Sequence, residues 1–442
     1  MQKIASDKAE RRARHAWYLY DFGNSAYAAV ILLAVFSPYF KDVVVGSGAE
    51  GTRLWGIAVG IASVLVALMS PVFGTIADFT KSKKKFLFVF TAISVLSTAL
   101  LFFVRAGDVF TGMLFFILAE IGYRGAQVFY DALLTDVSTP ESVGSVSGKG
   151  WGLGMLGGIA ALLVVLAPLQ LIGNSIIPYT FLITAFIYLV SALPTFLFVK
   201  EKNTPEQLQG KNVIAVAFHK LAQTFISVRK HKEFVKYAIS FLIYNDGIMM
   251  LMDFAAIIGG TLFGMKQIQL IIFVILIHIS GAIGALLFGK VADKRGSKKA
   301  ILLSLLILTA SVAGLLFIDR TLWFYVIGFV AGFSLSGAQA VSRSMVSQLA
   351  PREQSAEFYG FLSVAGRTST FVGPLVFSTI SYRMHNRYVR LGFEELQAEK
   401  LGLLWAIGAI IAFLVVGALL LILVRQPGKN GHPRKPRSGQ SD

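Results

Sequence analysis

Long apolar runs separated by short polar segments cover most of the chain. Twelve runs are long enough to cross about 30 Å of hydrocarbon as helices, and they lie at 17–40, 53–78, 86–104, 109–133, 151–172, 177–199, 235–262, 268–291, 300–318, 322–349, 357–382 and 401–424. A longer polar segment, 200–234, separates the sixth run from the seventh. The pattern predicts an all-α membrane protein whose twelve transmembrane helices form two six-helix bundles.

The predicted units are an N-terminal segment 1–16, a first bundle 17–199, a central loop 200–234, a second bundle 235–424 and a tail 425–442. Within the central loop, apolar residues recur at helical spacing over 213–228, which favours an amphipathic helix on the membrane surface; a solvated linker is the alternative. The tail combines prolines, glycines and basic residues, so we expect it to be disordered.

Lysines and arginines concentrate in alternate connections between the spans. Because basic loops stay in the cytoplasm, both termini are predicted to be cytoplasmic, in the plasma membrane (the inner membrane of a prokaryote). The opposite side carries few bases, the largest group lying in the predicted loop before the last span: Arg383, Arg387, Arg390 and Lys400. The first apolar run is too long for a signal-peptide core, so it is expected to remain as a span.

The amino-acid composition excludes several kinds of metal and redox site. The 442 residues are 55% hydrophobic and 15% charged, against about 45–50% and about 25% in soluble domains, and they include no cysteine. Disulfides and thiolate metal sites are therefore excluded, and the six scattered histidines form no ligand pair. We expect no cofactor and no metal. The net charge of +17 resides in membrane loops, so no nucleic-acid partner is expected.

Two glycine-rich stretches resemble nucleotide motifs only superficially. Gly152, Gly154 and Gly157 have dinucleotide-fingerprint spacing, but they open a membrane span and follow no strand. The segment 144–149 is one residue short of a phosphate-binding loop. Glycines at intervals of four, Gly150, Gly154 and Gly158, instead favour close helix packing. No nucleotide partner is predicted.

Ionisable residues within the spans are few and unevenly distributed. They occur in spans 1, 4, 7, 8, 10 and 11, whereas spans 3, 5, 6, 9 and 12 have none away from their ends. A charge near the bilayer centre costs at least about 2.5–3.5 kcal/mol on insertion scales, so it is retained where it faces a partner or a water-filled cavity. The distribution predicts spans 1, 4, 7 and 10 around a central cavity, with 3, 6, 9 and 12 facing lipid.

The fourth span carries the most polar face. Glu120, Arg124, Gln127 and Asp131 follow one another at spacings of four, three and four, which places them on one side of a helix. The second half repeats the motif, since 125–127 reads Gly-Ala-Gln again at 337–339 and the position of Asp131 is taken by Arg343. This repetition predicts one wall of the cavity in each half.

Depth divides the polar residues into two candidate groups. Those near the middle of the membrane are candidates for binding solute or a coupling ion: Glu120, Arg124, Gln127, Asp253, His278, Arg367, Asn24 and Asn245. Those nearer the cytoplasmic side are candidates for a gate: Asp21, Asp131, Asp246 and Arg343. For any single residue, the alternative is an ion pair that only holds helices together.

A loop motif follows the eighth span and is partly repeated after the second. Gly289 is followed by Asp293, Arg295, Gly296 and two lysines, whereas the first copy retains Gly74, Asp78 and a lysine cluster. A glycine permits another helix to approach, an aspartate can face a helix dipole, and bases hold the loop at the inner surface. The motif at 289–299 resembles the loop signature of the major facilitator superfamily.

The first span carries a second resemblance. Residues 17–27 read Trp-Tyr-Leu-Tyr-Asp-Phe-Gly-Asn-Ser-Ala-Tyr, similar to the opening of the vacuolar amino-acid effluxer branch of that superfamily. The superfamily resemblance covers nearly the whole chain, and the branch resemblance depends mainly on this motif. Together they imply transport by alternating access, in which the loops around Gly74, Asp78, Gly289, Asp293, Arg295 and Gly296 latch the cytoplasmic side.

The sequence thus predicts a secondary active transporter that is not an enzyme, is monomeric and moves a small solute across the bilayer. The specific hypothesis is efflux of amino acids or similar zwitterions: Arg367 or Arg124 binds the carboxylate, and Glu120 or Asp253 faces the ammonium or carries a coupling proton. Sugars or amphipathic organic solutes are the alternative substrates, with Tyr20, Tyr123, Trp151 and Tyr244 as stacking surfaces. From other classes, a non-transporting receptor or scaffold and a membrane enzyme remain open.

Overall fold

The structure is a computed structural model that describes residues 2–46, 48–80, 82–138, 143–201, 222, 226, 228–349, 358, 362, 366 and 371–425. Its long helices are α1 (Gln2–Tyr27), α2 (Gly48–Thr80), α3 (Lys83–Leu100), α4 (Val109–Ala132), α5 (Val143–Ile172), α6 (Ile177–Phe198), α7 (Lys232–Phe263), α8 (Gln267–Arg295), α9 (Ser297–Gly314), α10 (Thr321–Leu349), α11 (Val372–Arg390) and α12 (Glu395–Ile422). Within these described ranges no β-strand occurs.

Eleven segments of the described chain are long and apolar enough to cross a membrane. The remaining predicted span, 357–382, is described only at 358, 362, 366 and 371–382, of which residues 372–382 belong to α11. The predicted loop before the last span was wrong in extent, because four of its basic residues lie in helices α11 and α12: Arg383, Arg387, Arg390 and Lys400. Backbone hydrogen bonds can continue a helix beyond the apolar layer. Hydropathy therefore predicts where the apolar layer ends better than it predicts where the helix ends.

The two halves of the chain pack in the same way. In the first half α1 contacts α5 and α6, α4 contacts α2 and α3, and α6 contacts α3 and α5; in the second half the helices six positions later make the corresponding contacts. The two halves meet through α2 against α11 and through α5 against α8, which are equivalent pairs under the same shift. The described helices therefore form two pseudo-symmetric bundles.

Burial distinguishes central from peripheral helices. In the most apolar stretches of the first and seventh spans 72% of positions are buried, whereas in α6 and α12 only 33% are. Because lipid-facing residues are exposed in a structure without a membrane, α6 and α12 lie on the outside. The first and seventh spans lie inside, as the distribution of charged residues predicted.

Matching lysines hold each half together at the end of the molecule that carries the chain termini, which we call the terminal end. Lys84, at the start of α3, donates a 2.9 Å hydrogen bond to the carbonyl of Val199, just beyond α6. Lys298, at the start of α9, donates 2.7 Å bonds to the carbonyls of Ile422 and Val424 at the end of α12. A cation favours the negative end of a helix dipole, so part of each basic cluster caps a helix.

The first span is not a uniform α-helix. Beyond α1 it continues as a π-helix over Ala28–Ala34, a short α-helical turn over Phe36–Tyr39 and a second π-helix over Phe40–Val45. Segments of π-helix are rare and often mark functional sites. The first π-helix begins directly after Tyr27, so it lies next to the polar centre described below.

Glycines on α5 allow α1 to approach closely. A Cβ added at Gly157 would collide with the backbone carbonyl of Phe22, and one added at Gly154 would lie 2.6 Å from Oδ2 of Asp21. The packing role predicted for the glycine-rich start of this span is confirmed.

Candidate functional site

The fully buried carboxylate of Glu120 is the centre of the polar region between the bundles. Glu120 lies midway along α4, where its Oε1 accepts a hydrogen bond from Nε of Arg124 in the next turn. Its Oε2 accepts a 3.1 Å bond from the hydroxyl of Tyr27 on α1. The side chain of Arg124 remains 16% exposed, whereas that of Glu120 is fully buried.

The second bundle contributes Asp253 to this centre. Asp253 lies on α7, is 5% exposed, and interacts electrostatically with both Arg124 and Glu120. Its Oδ2 has no hydrogen-bond partner among the described residues. Trp55 on α2 donates a 3.0 Å hydrogen bond to the backbone carbonyl of Asp253, which fixes this part of α7 against the first bundle.

Aromatic rings line the centre on the first-bundle side. The ring of Tyr123 stacks on that of Tyr27, with centroids 4.7 Å apart, and its hydroxyl lies within hydrogen-bonding reach of Gln127. Gln127 therefore adjoins the Glu120 centre through Tyr123 and lies about two turns of α4 nearer the terminal end than Glu120. Sequence reasoning missed Tyr27 and Trp55, because an aromatic residue in an apolar run carries no signal of the polar partner that its hydroxyl or indole will meet.

His278 and the two asparagines lie apart from the ion pair. Nδ1 of His278 donates a 2.9 Å bond to the carbonyl of Val274 on its own helix, and Nε2 faces Gly158 on α5. Asn24 is buried, and its Nδ2 has no hydrogen-bond partner within the described chain. Asn245 is buried on α7 beside the buried Asp246. The contacts of the described residues thus assemble only Glu120, Arg124, Gln127 and Asp253 into one centre.

A second charged group lies nearer the terminal end. Asp21 on α1 interacts electrostatically with Asp131 on α4 and with Arg343 on α10. Asp131 and Arg343 are exposed, whereas Asp21 is half-buried against α5. Charges from both bundles therefore face one another at this end, as their sequence positions predicted; their role as a gate stays a prediction.

The loop motifs are only partly as expected. Gly296 ends α8 with φ of 92°, a conformation that favours glycine, and Asp293 and Arg295 are exposed beside it. No described heavy atom lies within 4 Å of a Cβ added at Gly74 or Gly289, so no part of the chain that the structure describes packs closely against these two glycines. The expected close helix approach stays a prediction, because residues 139–142 and most of 350–370 lie outside the described residues.

Several predicted residues lie outside the part of the chain that the structure describes. Arg367 belongs to this group, as do most of the expected amphipathic helix at 213–228 and the tail from 426 onwards. The helical position of Asp78 is described, but its side chain is not. Of the two candidate arginines for a solute carboxylate, Arg124 is the one whose surroundings are known.

Most of the aromatic residues considered for stacking on a sugar are already engaged. The hydroxyl of Tyr20 lies 2.6 Å from Thr91 and 3.0 Å from Tyr188, and that of Tyr244 lies 2.7 Å from Ser342. Both tyrosines are fully buried. Neither ring presents a face to a cavity, which weakens the case for a carbohydrate site built on them.

Comparison with known proteins agrees with this architecture. A family model described as "Vacuole effluxer Atg22 like" matches residues 54–397. The MFS-type transporter YxiO of Bacillus subtilis is 29% identical over 376 residues, covering 83% of this chain and 87% of its own. Autophagy-related protein 22 of Eremothecium gossypii is 23% identical over 450 residues, covering 86% and 87%.

Solved structures show the same fold. A bacterial homologue of the human lysosomal transporter Spinster, in an inward-facing conformation, superposes with a TM-score of 0.68 at 15% identity, covering 95% of this chain and 96% of its own. The nucleoside transporter NupG gives a TM-score of 0.68 at 14% identity, covering 95% and 100%. With its two pseudo-symmetric bundles and the family match over most of its length, the chain belongs to the Atg22-like vacuole effluxer family and is a major facilitator transporter, not an enzyme.

Proposed function

We propose that this protein exports a small zwitterion, such as an amino acid, by alternating access coupled to a proton. The observation that carries the proposal is the centre formed by Glu120, Arg124 and Asp253, which brings both signs of charge together between the bundles. A zwitterion carries a carboxylate and an ammonium a few ångströms apart, so it needs a cation and an anion at matching depth. The family description as an effluxer supports export.

The three charged residues are suited to different parts of such a solute. Glu120 already accepts bonds from Tyr27 and Arg124, so it holds the guanidinium in place. Arg124 carries further N–H donors that can bind a carboxylate in a bidentate manner. Asp253 retains an oxygen without a partner among the described residues, so it is the group that would accept an ammonium.

Proton coupling follows from the same charges. Two carboxylates and one guanidinium carry a formal charge of −1, and an uncompensated charge inside a membrane protein is unfavourable. A proton on Asp253 would neutralise the empty centre. The ammonium of a zwitterion would compete with that proton for Asp253, while the carboxylate of the same solute pairs with Arg124. Competition between proton and solute for one carboxylate links their movements in opposite directions.

The conformation is consistent with alternating access. The bundles are joined by the Trp55–Asp253 bond and by the contact of α2 with α11, whereas Asp131 and Arg343 are exposed at the terminal end. We place the terminal end in the cytoplasm, since the basic residues concentrate there. In the proposed cycle the protein functions as a monomer, and this conformation is the one that opens towards the cytoplasm.

The test separates solute binding from proton coupling. Purified protein in liposomes would be assayed for counterflow of a panel of labelled amino acids, sugars and nucleosides, and for transport driven by a pH gradient. Asp253→Asn removes the titrating group but keeps a polar side chain. It should abolish transport driven by the pH gradient while retaining counterflow of the solute at reduced affinity.

The matched control is Asp108→Asn, because Asp108 is exposed at the end of the molecule away from the termini, where its carboxylate accepts a hydrogen bond from the backbone N–H of Arg105. This variant should behave like the parent in both assays. Undiminished gradient-driven transport by Asp253→Asn would refute its role as proton carrier. Counterflow of a sugar or nucleoside but no amino acid would refute the zwitterion specificity.

A further inference from the structure

A buried ion pair joins the two bundles at the end away from the termini, which we call the distal end. Nζ of Lys41, in the last part of the first span, lies 2.8 Å from Oε1 of Glu399 on α12 and 2.5 Å from Oγ1 of Thr261 on α7. Lys41 is 4% exposed and Glu399 is 7% exposed. No part of this pair belongs to the Glu120 centre or to the charged group at the terminal end.

The backbone of α2 encloses the pair. A Cβ added at Gly48 would collide with the carboxylate of Glu399, and one added at Gly51 would lie 2.9 Å from Cα of Lys41. Gly48 is the first residue of α2, so the carboxylate lies against a helix N-terminus, where negative charge is favoured. Four segments from both halves of the chain, the end of the first span, α2, α7 and α12, therefore meet at one lysine–glutamate contact.

Water can reach the pair from the distal side. A cavity of about 390 Å³ adjoins it, and its lining includes Lys41, Asp42, Thr261 and Glu399. The side chain of Asp42 is 55% exposed and lies 3.3 Å from Nζ of Lys41. If the bundles separated at this end, the cavity would open onto both members of the pair, and water would hydrate them.

We propose that Lys41, Glu399 and Thr261 form a distal latch that holds the transporter closed at this end and must separate before solute leaves. The inference depends on the alternating access proposed above, but its test measures conformation and needs no substrate. A buried pair that loses one partner leaves an uncompensated charge. When the distal end opens, water can hydrate the charge that is left, which lowers the free energy of the open state. Removing either partner therefore shifts the population towards the distally open state.

The chain provides a suitable background for the test, because it contains no cysteine. Gly260→Cys places a single thiol in the cavity lining, where an added Cβ has no neighbour closer than 4.0 Å among the described residues. The rate of labelling by a water-soluble maleimide then reports opening. Lys41→Met and Glu399→Gln should each raise this rate at least about fivefold, corresponding to a shift of about 1 kcal/mol.

Two further variants distinguish a latch from general loosening. The exchanged pair, Lys41→Glu with Glu399→Lys, restores opposite charges but places the cation at the N-terminus of α2. Labelling should therefore fall below the rates of the single variants and return part of the way to the parental rate. Arg105→Met is the control, because Arg105 is exposed at the same end and its guanidinium donates to the carbonyls of Phe102 and Val104 within the first bundle. That variant should label like the parent.

The outcomes are decisive in either direction. Labelling of both single variants at the parental rate would overturn the latch. Labelling of the exchanged pair as fast as that of the single variants would also overturn it, when all of these variants retain a sharp thermal unfolding transition. A failure of Asp253→Asn to lose proton coupling would leave these labelling rates unaffected. The latch and the proposed transport mechanism can therefore fail separately.

Discussion

The indole N–H of Trp55 on α2 donates its hydrogen bond to the backbone carbonyl of Asp253 on α7 at 3.0 Å. This bond crosses from the first bundle to the second at the residue that we propose as proton and ammonium acceptor. We therefore expect separation of the bundles at the distal end to break a bond to the proposed binding centre. Occupancy of that centre and opening of the distal end would then be coupled through Asp253.

Trp55→Phe should remove this hydrogen bond between the bundles while keeping an aromatic side chain at the position. A hydrogen bond between neutral groups contributes about 0.5–1.5 kcal/mol, so we expect labelling of the Gly260→Cys reporter to increase by about two- to tenfold. Fluorescence of the remaining tryptophans would confirm that the variant is folded. An unchanged labelling rate would show that the bond does not restrain the bundles.

Glu120→Gln should destabilise the protein strongly, because it leaves Arg124 without its buried partner. The expected loss in the free energy of unfolding is about 3–5 kcal/mol, and the double variant with Arg124→Gln should recover part of it. Tyr27→Phe removes only one bond to the carboxylate and should cost about 1–3 kcal/mol. Denaturant unfolding in detergent measures all three. Equal stability of Glu120→Gln and the parent would mean that the pair is not buried.

Gly157→Ala should disturb the packing of α5 against α1, since the added Cβ collides with the carbonyl of Phe22. Overpacking of this kind costs about 1–3 kcal/mol, measured as the same free energy of unfolding. Gly152→Ala on the same helix is the matched control, because nothing described lies within 4 Å of its added Cβ. It should be neutral or stabilising by up to about 1 kcal/mol, and a larger loss than at Gly157 would contradict the packing.

Lys84→Met and Lys298→Met should have similar effects, because the two lysines make equivalent caps in the two halves. Each should lower the free energy of unfolding by about 1–3 kcal/mol, while the KM for the solute stays unchanged, since neither lysine approaches the Glu120 centre. Lys85→Met, at the exposed neighbouring position, serves as control and should retain parental stability. A change in KM would assign these lysines to transport instead.

The sequence alone determined the membrane class, nearly all of the spans and the repetition of one half in the other. Each helix needs an apolar sequence in order to enter the bilayer, and this property is local. It can therefore be read from the sequence without knowledge of the tertiary contacts. The cost of placing charge in lipid also made Glu120, Arg124 and Asp253 visible as candidates. Their identity as polar residues required no knowledge of where the helices cross.

The tertiary structure alone decided which charges meet. Lys41 and Glu399 stand just outside the apolar runs at 17–40 and 401–424, where charged residues are usual at a membrane surface, and nothing local marks them as a buried pair. Tyr27 and Trp55 likewise resemble ordinary aromatic residues of a span. Their partners depend on how α1, α2, α7 and α12 cross, which is set by packing between residues far apart in the chain.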